Sequence, residues 1–110
     1  MRRNKRKSRN EFRYNYDTGH IVYVFEEEKS KYKGLGITHS KRTFRTKNMP
    51  LFYNPQKGKK QKAYIRNGII NKKKSSFAKH SDKRFKFSFP DFRNVKSKIR
   101  NFKKLRRKRK

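Results

Sequence analysis

Cysteine and tryptophan are absent, acidic side chains number 7, and glycine and proline supply only 5 and 3 of the 110 positions. Without cysteine there is no disulfide, no thiolate nucleophile and no thiolate zinc site. No apolar run approaches the roughly 20 residues that span a bilayer. The basic N-terminus is not followed by the apolar stretch of a secretory signal, so the expected setting is a reducing, cytoplasmic one. The three histidines, His20, His39 and His80, lie scattered without ligand spacing in a field that repels cations, so no metal is expected. No glycine-rich phosphate loop, helix-turn-helix or zinc finger is present, and no cofactor is expected.

What remains is positive charge and aromatic rings. Lysine and arginine number 37 against the 7 acids, for a formal net charge of +30. The excess is not confined to the ends: residues 1–13 carry +6, residues 91–110 carry +10, and the middle still carries +14. Such self-repulsion opposes compaction unless a polyanion neutralises it, and a phosphate backbone is the obvious polyanion. An anionic membrane surface would also attract the chain, but no helix has a large aliphatic insertion face, so no membrane partner is expected. Apolar residues make up 29%, and aromatics alone 15%. Rings interleaved with Lys and Arg serve equally as a small core and as platforms for unpaired bases, so RNA or another single-stranded nucleic acid is the expected partner.

The pattern along the chain points to one α+β domain over residues 14–105, between a basic arm at 1–13 and a basic tail at 106–110. "HIVYVFEEE" and "KYKGLGITH" read as strands over 20–26 and 31–39, paired as an antiparallel hairpin. "KAYIRNGII" predicts a third strand over 62–66 with Asn67-Gly68 as a turn. "RFKFSF" alternates strictly and predicts a fourth over 84–89. Pro90-Asp91 opens a helix whose stripe is Phe92, Val95, Ile99, Phe102 and Leu105, with basic residues around most of the rest. Residues 40–61 and 71–83 are expected to be long basic loops, and Glu26-Glu27-Glu28 a solvated turn, or else a partner for a basic tail. The sum is a small antiparallel sheet of about four strands with a C-terminal basic amphipathic helix.

Burying one consistent face fixes a hairpin's register. If paired residue numbers sum to an odd value, Val22, Val24, Leu35 and Ile37 share a face, and so do His20 and His39 at the open end. Metal-independent RNA cleavage needs a base, an acid and a cation for the phosphate. His20 and His39 are the candidate acid–base pair and Arg66 the candidate clamp. Thr38, Ser40, Lys41, Arg42, Arg45, Lys47, Tyr64, Lys72, Lys73 and Lys74 are candidate phosphate or nucleic-acid contacts, and His80 a bystander or phosphate contact. Strand-ending histidines that do no chemistry are the plain alternative, which leaves the enzyme question open.

"GHIVYVFEEEKSKYKGLGITHS", followed by Asn54-Pro55, "AYIR" and "FKFSFPD", resembles small phage and mobile-element proteins associated with barnase–EndoU–colicin–RelE-like nuclease modules. The likeness spans residues 19–91 and touches Gly19, His20, Tyr23, Thr38, His39, Ser40, Asn54, Pro55, Tyr64 and Arg66. It implies a compact α+β ribonuclease of phage or toxin type, with an acidic antitoxin-like protein as a further partner. Ile21 stands where a proline is expected, there is one Asn-Pro rather than two, and the helix follows the sheet instead of preceding it. The alternatives are a non-catalytic RNA-binding protein of ribosomal-protein character and a mobile-element DNA-binding accessory protein.

Overall fold

Two stretches dense in β-branched and aromatic residues form the centre of a five-stranded antiparallel sheet. The computed structural model describes residues 7–43 and 45–108, with side chains described through residue 103. Strands β2 (His20–Glu27) and β3 (Lys31–Thr38) form the expected hairpin, closed where the Glu28 amide donates to the Lys31 carbonyl at 2.9 Å. With β1 (Lys7–Asn15), β6 (Met49–Pro50) and β7 (Tyr64–Lys73), the main sheet has the order β1-β2-β3-β7-β6, while β4 (Arg42–Thr43) and β5 (Thr46–Lys47) pair as a separate two-stranded hairpin. Helix α1 runs Phe89–Lys108 and completes the α+β architecture.

Several boundaries differ from expectation. Residues 7–13, read as part of an arm, belong to β1; residues 1–6 lie outside the described residues. A basic run can pair here because β2 answers it: Glu27 receives Arg9, while Phe12 turns into the core. Asn67-Gly68 does not end the third strand. Leu35 pairs with Ile69 and Ile37 with Ile65, so residues 66–68 bulge opposite Gly36 and β7 continues to Lys73. The loop after residue 40 is folded in its first part, where buried Asn48 donates to the Ser40 carbonyl (3.0 Å) and the Thr43 hydroxyl (2.9 Å).

The alternating "RFKFSF" segment is not a sheet strand. Phe85 makes one bridge to Gln56, and Phe89 opens the helix with its ring outside. The alternation works through packing instead: Phe87 meets Phe12 and Tyr23 edge-on at 4.9 Å each, and Phe85 stacks on Phe12 at 5.5 Å. Of the expected helix stripe, Val95 and Ile99 are buried, with Phe92 and Phe102 packed against the same core; Leu105 and the tail's side chains lie outside those described.

The sheet is covered on both faces. Phe12, Tyr23, Phe25, Leu35, Ile37 and Ile65 face Val95, Ile99 and Phe87. On the other side Val22, Val24, Tyr32 and Ile70 pack with Phe77. Phe77 arrives through a 3-10 turn at Lys74–Ser76 and is held by a bridge to Asn15 and by the Ala78 amide donating to Tyr14 (2.8 Å). This second cover overturns the expected register. Paired numbers sum to an even value at Val22↔Gly36, Tyr23↔Leu35 and Val24↔Gly34, and become odd only beyond a bulge, at Glu26↔Lys33 and Glu27↔Tyr32. The aliphatics split between two faces because each face has its own cluster to join.

Candidate nucleic-acid interface

Even register separates the candidate histidines. By strand alternation His20 lies on the face of Val22 and Val24, whereas His39, the residue after β3, continues the alternation of Leu35 and Ile37. The expected same-face pair is therefore not formed. The register instead places His20, Thr38, Tyr64 and Arg66 on one face: Thr38 pairs directly with Tyr64, and a Cβ on Gly36 would meet the Arg66 stem at 3.2 Å. Thr38 is buried, and its hydroxyl accepts the Ser40 amide at 3.2 Å. Ser40 and His39 stand exposed where β3 ends.

The other candidate contacts fall into two groups. Lys41, Arg42, Arg45 and Lys47 are exposed around the β4–β5 hairpin, and Lys73 is exposed at the end of β7. Lys72 and Lys74 are already engaged. Lys72 lies 3.6 Å from Asp17, and Lys74 reaches Glu27 at 2.5 Å while sitting 5.4 Å above the Tyr32 ring. His80 is exposed in the segment that follows Phe77.

All seven acidic side chains have partners inside the protein. Glu11 meets Arg13 (2.6 Å) and Arg9 (3.7 Å), and Glu27 meets Arg9 and Lys74, both at 2.5 Å. Glu26 is buried beside Lys33 and Lys103, each at 3.6 Å, and Glu28 lies 3.3 Å from Lys33. The glutamate run is thus a tether rather than a solvated turn, joining the hairpin to β1, to the turn after β7 and to the basic helix. Lys74 and Arg9, by donating to it, hold the Glu27 carboxyl at about 2, far below its ordinary value. Asp82 is held low by the Arg84 fork, and Asp17 pairs with Lys72. Asp91, buried at 1% exposure, accepts the amides of Phe52 (2.8 Å) and Tyr53 (3.1 Å) and the hydroxyl of Ser88 (3.0 Å).

The remaining cations form the surface. Lys57, Lys59, Lys60 and Lys62 are exposed along one loop, Lys83 and Lys86 along the next, and Arg93 and Arg100 along α1. Partial burial pushes the Lys98 ammonium down, and it donates to the Asn67 side chain, which in turn donates to the Lys47 carbonyl. That chain of contacts ties helix, bulge and β5 together.

Sequence reasoning did not single out the exposed rings. Phe52, Tyr53 and Phe89 are 67%, 66% and 72% exposed, and Tyr16 is 62% exposed beside Tyr14. Two adjacent aromatics in a polar loop, Phe52-Tyr53, were the available signal, since consecutive rings rarely both reach a small core. A groove of about 1180 Å³ opens beside Tyr53 and Phe89. Among the described residues no group of three His, Asp or Glu side chains is placed to hold a metal ion, and no helix is long and apolar enough to cross a membrane. Comparison with protein-family models, with curated proteins and with solved structures finds no match for this chain.

Proposed function

We propose that this chain binds nucleic acid, with RNA as the intended polyanion. One observation carries the reading: the seven acidic side chains are each tied to an internal partner, and the chain has no further acidic side chain to answer its exposed lysines and arginines. A fold that pairs its few acids internally presents an outer surface dominated by positive charge, which is what a phosphate backbone recognises. The test is affinity for a labelled single-stranded RNA against salt concentration. About six phosphate contacts give a log–log slope of about −4 on single strands. A slope near zero, or no binding at about 0.15 M salt, removes the proposal. Tighter binding to duplex DNA than to any RNA would transfer it to the DNA-accessory alternative.

A second reading is a metal-independent ribonuclease, supported by the shared face of His20, Thr38, Tyr64 and Arg66. In it His20 takes the 2′-hydroxyl proton as the 2′-oxygen bonds to phosphorus, the P–O5′ bond breaks with the leaving 5′-oxygen taking a proton from water, and Arg66 steadies the phosphate charge. His39 is not part of this arrangement. Cleavage that persists in EDTA, disappears in His20→Ala and Arg66→Ala, and survives in His39→Ala supports this reading. Intact RNA after incubation with the unaltered chain ends it.

A further inference from the structure

Three large rings stand in solvent around the first turn of α1, in a chain that has few apolar residues to spare. Phe52, Tyr53 and Phe89 each expose about two thirds or more of their surface. Their backbone is not loose. Asp91 binds the amides of both Phe52 and Tyr53, and its other neighbour, Ser88, immediately precedes Phe89. Leu51 on one side is 1% exposed, with its amide bonded to the Ala63 carbonyl at 3.0 Å, and Pro55 on the other side is buried. The segment is thus pinned at both ends and in the middle, with its rings held outward.

The surroundings are cationic. Lys57, Lys83 and Lys86 line the groove that Tyr53 and Phe89 border, and the Arg93 guanidinium lies 5.8 Å over the Phe89 ring. The two carboxylates in the groove wall do not offset this charge, because Glu11 is held by Arg13 and Asp82 by Arg84. Exposed rings on a pinned backbone, with lysines nearby, have the chemistry of a stacking platform: every base offers a π-face, and the phosphates that follow meet the cations. A duplex keeps its bases stacked on one another and cannot use the rings, so the occupant is an unpaired strand.

We propose that Phe52, Tyr53 and Phe89 stack successive unpaired bases of a single-stranded RNA whose phosphates run along Lys57, Lys83 and Lys86. This rests on the RNA-binding reading above and narrows it to the surface around the start of α1 and to one form of the ligand.

The experiment titrates the full chain against a labelled 12-nucleotide oligouridine and a 12-base-pair RNA duplex at one salt concentration. The variants are Phe52→Ala, Tyr53→Ala, Phe89→Ala, the three combined, Phe89→Tyr, and Lys57→Gln with Lys83→Gln and Lys86→Gln. Each ring lost weakens single-strand binding about tenfold, leaves duplex binding and salt slope unchanged, and Phe89→Tyr restores the unaltered affinity. The lysine variant lowers the salt slope. Single-strand affinity that is unchanged in the triple ring variant overturns the platform while leaving RNA binding in place. Equal losses on single strand and duplex also overturn it, and thermal melting of the variant shows whether unfolding is the cause. If the unaltered chain binds neither RNA, the broader reading fails with it.

Discussion

The Asp91 carboxylate accepts the Phe52 amide at 2.8 Å across 39 positions of sequence, fixing the loop before Asn54-Pro55 to the first turn of α1. A buried carboxylate with two amides and a hydroxyl has no cheap replacement. Asp91→Ala strands three donors and leaves a hole, and is expected to cost about 3 kcal/mol. Asp91→Asn keeps one acceptor oxygen and should cost visibly less. Urea melts of the two variants decide this, and equal losses would mean that the second carboxylate oxygen and its charge, not the filled volume or the retained oxygen, carry the stability.

Gly34 pairs directly with Val24 of β2. A Cβ there would lie 2.5 Å from the Tyr23 carbonyl oxygen and run into the Val22 side chain, and neither can move without shifting the sheet. At Gly36 the neighbour is the flexible stem of Arg66, at 3.2 Å. Gly34→Ala should therefore destabilise by about 2–3 kcal/mol and Gly36→Ala by less than about 1 kcal/mol. Chemical denaturation of both variants tests the ordering. The two glycines look equivalent in "GLG", and only the approach of the neighbouring strand separates them.

That contrast shows where sequence reading succeeded and where it stopped. The hairpin, the helix start at Pro90-Asp91 and most of the apolar stripe were legible, because local pattern decides them. The register was not. It follows from Phe77 folding back over the second face, and nothing in "KKKSSFAKH" announces that return. Once both faces are covered, the premise of a single buried face fails, and with it the pairing of His20 with His39. β1 was hidden for a related reason: its basic residues are strand-competent only because Glu11 and Glu27 receive them. Phe85 and Phe87 kept their inward alternation but reach the core from an extended loop.

Glu27 ties Arg9 of β1 to Lys74 after β7, and its pH dependence follows from its depressed pKa. Its folded-state value is about 2 against an ordinary 4.5, so its contribution is complete above about pH 4.5 and is lost as pH falls toward 2. The Arg9 side chain is 38% exposed, so solvent screening keeps the contribution to about 1–2 kcal/mol at neutral pH. Glu27→Gln should lower stability by that amount at pH 7. The gap between the two proteins should shrink through pH 4 and 3 and vanish near pH 2. A gap that stays constant over that range would show that the glutamate acts by packing rather than by charge.

Tyr23 is fully buried between Phe12 and Phe87, and among the described residues its hydroxyl finds no hydrogen-bond partner. Burial pushes its ionisation up to about 12, because a phenolate there would lose its hydration. Replacing it with phenylalanine keeps both ring contacts and removes an unpaired buried oxygen, so Tyr23→Phe should gain about 1 kcal/mol at pH 7. The tyrosine's own cost appears on the alkaline side. The unfolded chain ionises this phenol near pH 10 and the folded chain only near 12, so stability is lost as pH rises between them. The advantage of Tyr23→Phe should therefore widen from pH 10 to 12, as measured by denaturant midpoints across that interval. A variant less stable than the parent at pH 7 would place a hydrogen-bond partner on the Tyr23 hydroxyl and reverse the argument.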